Sequence, residues 1–134
     1  MMPRKRPGGA ENAMLDETNI LIVEDEALLA VDLSITLEDE GASITGPCLS
    51  LDSAMAISDG VDAAVLDVDL RGVPVFPLAD RLYRSGTPFV FHTGRADLAE
   101  LRNRYGDDVP ILVKPTRPEE VVRTLSSVLS GAAE

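Results

Sequence analysis

From residue 19 onward the chain alternates short apolar runs with longer stretches whose apolar residues recur every three or four positions. The runs at 20–23, 63–66, 89–91 and 111–113 are continuous, the pattern of strands buried on both faces. A further strand is expected at 42–45, closed by Gly46-Pro47. Between the strands the period changes to that of a helix. At 26–40, Leu29, Leu33 and Leu37 share one stripe and Gly41 stops the turn. A short helix at 52–58 ends at Asp59-Gly60. Val75, Leu78, Ala79 and Leu82 mark a third helix, stopped by Gly86. The stretch 97–105 is weaker, with Leu98, Leu101 and Tyr105 in phase but Arg102, Asn103 and Arg104 between them. Val121, Val122, Leu125, Val128 and Leu129 give the last helix the cleanest stripe. Residues 1–18 are polar, marked by Pro and Gly, and read as a flexible N-terminal tail, in which Met14 offers an alternative start to Met1. A single domain then spans 19–131, followed by a short C-terminal tail at 132–134.

Strands alternating with helices through short connections demand an α/β fold. A mainly parallel, doubly wound sheet lies between two helical layers, three layers in all. In such a sheet the functional crevice lies beyond the carboxyl ends of the strands. Those ends carry Glu24, Asp25 and Glu26 after the first strand, and Asp67 with Asp69 after the third. His92, Thr93 and Gly94 follow the fourth, and Lys114-Pro115 the fifth. Singly, each has a plain explanation as a helix cap, a turn or a solvated side chain. Together they place acids, a hydroxyl and one lysine on a single rim.

Composition narrows the chemistry. The formal charge of −11 argues against a nucleic-acid partner, because phosphate binding needs clustered Lys and Arg. A cation or a basic protein surface suits this field better. Cys48, the only cysteine, excludes an internal disulfide and a cysteine-built metal site, and reads as a small apolar filler. No apolar run reaches the roughly 20 residues of a membrane helix. The basic Arg4, Lys5 and Arg6 precede no apolar stretch, so a cytoplasmic protein without membrane contact is expected. Crowded carboxylates repel one another unless one is protonated or a cation binds. Mg2+ fits, since it takes oxygen ligands and keeps waters that a phosphoryl group can replace. An Asp beside it can attack phosphorus, a reaction that needs positioning and charge neutralisation more than general-base help.

The segments "ILIVEDE" (20–26), "AVLDVDL" (64–70), "FHTG" (91–94) and "LVKP" (112–115) resemble the receiver domains of two-component response regulators over about residues 19–131. The resemblance implies a flavodoxin-like (βα)5 fold with sheet order 2-1-3-4-5. It implies that Asp67 is the phosphoacceptor, Thr93 the switch hydroxyl and Lys114 the phosphate-pairing lysine. Mg2+ would be held by Glu24, Asp25, Asp67 and the backbone carbonyl of Asp69, and the Lys114-Pro115 bond would be cis. The implied partners are a sensor histidine kinase and either a histidine phosphotransfer protein or a downstream protein target. The chain would act as a monomer or a phosphorylation-dependent homodimer, and as a switch that is not an enzyme on external substrates. "PFVFHTGR" (88–95) is further similar to a receiver subgroup with a Pro-Phe-x-Phe-Ala-Thr-Gly-Tyr motif, often single-domain and linked to kinases of the HWE and related types.

Three positions depart from the family pattern. Ile111 stands where most receivers carry an aromatic switch residue, which leaves Thr93 and the segment 94–105 to carry the signal. His92 replaces the subgroup's alanine and reads as a partly buried imidazole satisfied by backbone. Asp69 adds a carboxylate that would strengthen Mg2+ binding or bias attacking water; Arg95 takes the place of the subgroup's tyrosine. Two rival readings stand beside this one. "VLDVDL" superficially resembles the Asp-x-Asp nucleophile motif of haloacid-dehalogenase-type phosphatases, but there it follows the first strand, Arg71 fits poorly, and Glu24 and Asp25 have no role. A pseudo-receiver adaptor that is never phosphorylated would share the fold and ignore a small phosphodonor.

Overall fold

The computed structural model describes residues 13–132. In chain order the elements are β1 (Asn19–Val23), α1 (Ala27–Asp39), β2 (Ser43–Cys48), α2 (Leu51–Ile57), β3 (Ala63–Leu66), β4 (Asp69–Leu70), β5 (Val73–Pro74), α3 (Phe76–Ser85), β6 (Phe89–Thr93), α4 (Ala99–Tyr105), β7 (Ile111–Val113) and α5 (Pro118–Ala132). The main sheet has five strands in the order β2-β1-β3-β6-β7, all parallel. Counting only these strands, that is the order 2-1-3-4-5 expected from the resemblance.

Strand periodicity divides the core into two layers. Leu21, Val23, Ala64, Leu66, Phe89 and Phe91 bury one face of the sheet against Ala54 of α2, Leu78 and Leu82 of α3, and Leu101 and Tyr105 of α4. Ile20, Ile22, Ala63, Val65 and Val90 bury the other against Leu33 and Leu37 of α1 and Val121, Val122 and Leu125 of α5. The helical stripes legible in the sequence are the ones that turn inward. Capping agrees with local chemistry. Ser50 accepts from the Ser53 N–H at the start of α2, and Gly86 closes α3 at φ 75°.

The structure corrects three expectations. The tail does not extend through residue 18. Leu15 is fully buried in the α1–α5 layer, its N–H donates to the Glu40 carbonyl at 2.9 Å, and the Thr18 hydroxyl donates to the Leu15 carbonyl at 2.6 Å. Residues 1–12, which hold the rest of the expected tail, and residues 133–134 lie outside the described residues. At the other end, α5 runs one residue past the expected boundary, to Ala132. The second strand does not stop at Gly46-Pro47 but runs through it to Cys48, with the register against β1 shifting between Leu21 and Val23. Gly46 is required there: it sits at φ 96°, and a Cβ would lie 2.7 Å from the Cys48 nitrogen. Leu15 gives a direct stability test. Leu15→Ala is expected to cost about 3 kcal/mol in urea unfolding, the usual loss for a fully buried leucine; a cost near zero would show that the segment contributes nothing.

Candidate phosphoryl-acceptor site

The strand ends fix the backbone of the site before any side chain is considered. The Glu24 N–H donates to the Cys48 carbonyl (2.9 Å), that of Asp67 to the Val23 carbonyl (2.9 Å), and that of Lys114 to the Thr93 carbonyl (2.7 Å). Each residue sits one step past its strand yet continues the ladder, so Glu24, Asp67 and Lys114 inherit the rigidity of the sheet. Asp25 is held differently. A two-residue hairpin, β4–β5, turns at Arg71 and Gly72, both at positive φ (53° and 84°), and the Arg71 N–H donates to Asp25 Oδ2 at 2.9 Å. Burial pushes the Asp25 carboxyl up, but that bond, together with the interactions with Asp67 and Glu24 and the Lys114 charge, outweighs it and keeps the carboxyl below its usual range.

Carboxylate oxygens of Glu24, Asp25 and Asp67 lie within 4.8 Å of one another. Lys114 Nζ stands among the acids, 3.0 Å from Glu24 Oε1, 3.2 Å from Asp67 Oδ2 and 3.2 Å from Glu26 Oε1. Burial opposes the lysine's charge, but Glu24 and Asp67 outweigh it and push its pKa up. Burial, reinforced by the Glu24 charge and only partly offset by Lys114, pushes Asp67 up to about 7. Glu24 is 1% exposed; its Oε2 accepts from the Glu26 N–H at 3.0 Å. Its Oε1 is ion-paired with the Lys114 ammonium and has no further partner among the described residues.

A cavity of about 420 Å³ opens over these groups, lined by Asp25, Glu26, Asp67, Asp69, Gly94, Arg95 and Lys114. Thr93 is close by at the end of β6 but does not line it; its buried Oγ1 accepts the Arg95 N–H at 3.0 Å. A second hollow of about 490 Å³ lies at the opposite end of the sheet, between Gly86, Phe89, Pro110 and Gly131, away from these acids. The Lys114-Pro115 bond is cis, as the resemblance implies.

Two readings of individual residues change. The Asp69 side chain does not join the acid cluster: Arg95 holds both of its oxygens, Nε to Oδ2 and Nη2 to Oδ1, each at 2.8 Å. This fork holds the Asp69 carboxyl below its usual range and pushes the guanidinium pKa up. The sequence offered one signal for the pair, a cation at the subgroup's tyrosine position together with an extra acid after Asp67. His92 is fully buried instead of partly, and neither ring nitrogen has a hydrogen-bond partner among the described residues. Burial, then the Lys114 charge, lowers its pKa to about 4, against a smaller opposite pull from Glu26. The ring is therefore neutral at ordinary pH.

No family model matches the sequence, and no curated protein does. Among solved structures, a response regulator receiver domain protein (CheY-like) from Methanospirillum hungatei JF-1 aligns with a TM-score of 0.76 at 21% identity, covering 87% of this chain and 96% of that one. A response regulator receiver protein from Sinorhizobium medicae WSM419 is similar at 28% identity and TM-score 0.73, covering 86% and 96%. The non-phosphorylated HemR receiver domain from Leptospira biflexa is similar at 26% and 0.74, covering 85% and 95%. These structural relatives are response-regulator receiver domains, and their flavodoxin-like fold is the fold of this chain.

Proposed function

We propose that this chain is a receiver whose Asp67 accepts a phosphoryl group from a sensor histidine kinase. The observation that carries the reading is the convergence of the buried Glu24 and Asp67 with the half-buried Asp25 within 4.8 Å, with Lys114 bonded to the acceptor. The donor set fits Mg2+, since every ligand is a hard oxygen and the buried Glu24 Oε1 has, among the described residues, only the Lys114 ammonium beside it. Glu24, Asp25 and Asp67, with the Asp69 carbonyl, would hold the ion, and when bound it would neutralise charge on the transferring phosphoryl group. It would also favour the ionised form of Asp67.

An ionised Asp67 oxygen attacks phosphorus, and the P–N bond of the kinase's phosphohistidine breaks. The electron pair returns to the imidazole nitrogen, which takes a proton from solvent. Lys114, already 3.2 Å from the carboxylate, stays as the cation for the new phosphoryl oxygens. The Thr93 hydroxyl accepts from Arg95 with a lone pair, so its own proton is available to the phosphoryl group. Because the chemistry ends on the chain's own side chain, we read the protein as a switch and not an enzyme. Its output is a protein contact or onward relay to a histidine phosphotransfer protein in the cytoplasm. The "PFVFHTGR" segment favours a kinase of the HWE and related types.

The test is intact-mass spectrometry after incubation with acetyl phosphate, where the P–O bond breaks and acetate leaves. A single Mg2+-dependent adduct, lost in Asp67→Ala, is expected. A protein that stays unmodified with acetyl phosphate, phosphoramidate and partner kinases would make it a phosphorylation-independent adaptor.

A further inference from the structure

The cavity over Asp67 is lined by four acids and two bases, and one of the bases is spent entirely on acids outside the cluster. Besides its fork on Asp69, Arg95 sends Nη1 to Glu100 Oε1 at 3.0 Å, in the first turn of α4. Its backbone N–H is tied to Thr93, and its guanidinium carbon lies 5.9 Å from the centre of the Phe76 ring. Arg95 is therefore fixed from three sides that do not involve Asp69, and it is the arginine that orients the carboxylate. Asp69 lines the same cavity as Asp67, two residues along the chain, yet its oxygens stay out of the group formed by Glu24, Asp25 and Asp67.

We propose that Arg95 is a positioning residue of this pocket: by binding both oxygens of Asp69 it keeps a fourth carboxylate from joining Glu24, Asp25 and Asp67. This rests on the receiver reading above. With Arg95 gone, an unpaired Asp69 faces three neighbouring carboxylates, and two effects of opposite direction follow. A cation is held more tightly, because a further hard oxygen ligand is available. An anionic phosphodonor is repelled, because the lining loses a positive charge and uncovers a negative one. A merely structural role for Arg95 would weaken both properties together.

The experiment compares the wild type, Arg95→Ala, Arg95→Lys and Arg95→Ala/Asp69→Asn. Calorimetric titration with Mg2+ alone reads the first effect, and the rate of adduct formation from acetyl phosphate at saturating Mg2+ reads the second. Arg95→Ala is expected to bind Mg2+ about fivefold tighter and to be phosphorylated about tenfold more slowly. The added Asp69→Asn should return both to within about twofold of wild type, since the carboxylate itself is the cause. Arg95→Lys should fall between, because an ammonium brings the charge without the two-pronged geometry. If Arg95→Ala leaves both properties within about twofold of wild type, or the second substitution restores neither, the inference is wrong. A wild type that binds Mg2+ but takes no phosphoryl group from acetyl phosphate, phosphoramidate or partner kinases would sink the receiver reading while the titration still decides the role of Arg95. A wild type that binds no Mg2+ would overturn both.

Discussion

Lys114→Met is expected to destabilise the Mg2+-free protein by about 3–5 kcal/mol at pH 8. The size follows from what the ammonium leaves behind. Glu24 and Asp67 have side chains only 2% and 7% exposed, and Lys114 is their one cationic partner among the contacts described. Removing one member of a buried charge group costs more than the group contributes as a whole, because the remaining charges keep their desolvation penalty. Glu26, with 66% of its side chain exposed, is screened by water and adds little. The loss should shrink at pH 6. Asp67, already pushed up to about 7 with the lysine present, then takes a proton and ends its repulsion with Glu24. Mg2+ should restore part of the stability at pH 8 by supplying the missing positive charge. Urea unfolding at the two pH values checks this; a loss under about 1 kcal/mol at pH 8 would mean that water reaches the acids freely.

The second large effect is hidden in the wild type and exposed by substitution. Asp67 has a folded pKa of about 7 against 3.8 in a free chain, so folding takes up a proton between those values and stability falls as pH rises through them. His92 has a folded pKa of about 4 against 6.5, so folding releases a proton and stability is lost as pH falls from 6.5 towards 4. Over most of that window the two slopes oppose each other. In EDTA, Asp67→Asn should therefore leave the histidine's slope, gaining about 3 kcal/mol between pH 4 and 6.5 relative to wild type. His92→Phe should leave the aspartate's slope and lose about 3 kcal/mol between pH 4 and 7 relative to wild type. Asp69, whose pKa is lowered by Arg95, acts in more acid solution and alike in all three proteins. Parallel stability profiles for the three would show that neither group titrates as its surroundings dictate.

The elements legible in the sequence are those whose period is set by burial. Leu33 with Leu37, and Val121 with Leu125, announce helices because each stripe meets the same sheet face. Asp67 stands out because four buried residues run directly into it. What escapes such reading depends on neighbours remote in the chain. The β4–β5 hairpin is two residues a side, too short for any period, and its turn uses Arg71 at positive φ where glycine or asparagine is the usual signal. Leu15 has no periodic companions, and it is a core residue only through the layer it joins with α1 and α5, remote from it in the chain. The Asp69–Arg95 fork spans 26 positions, so its two halves looked like separate oddities. The fourth apolar run ends at Phe91, whereas β6 continues through His92 to Thr93, and the lack of a partner for the buried ring among the described residues is a property of the packing around it, which no local pattern encodes.

The passage of β2 through Gly46-Pro47 has a consequence for the protein in crowded solution. An open parallel sheet ends in two strands that each offer unpaired backbone groups to any passing chain, the usual starting point of edge-to-edge aggregation. Here one border strand, β2, carries a proline with no N–H to offer and a break in register beside it. The other, β7, is three residues long and bracketed by Pro110 and Pro115. Both borders are thus poor templates for a further strand, which keeps the sheet at five strands and leaves the helical faces and the acid rim as the surfaces through which other molecules meet this protein.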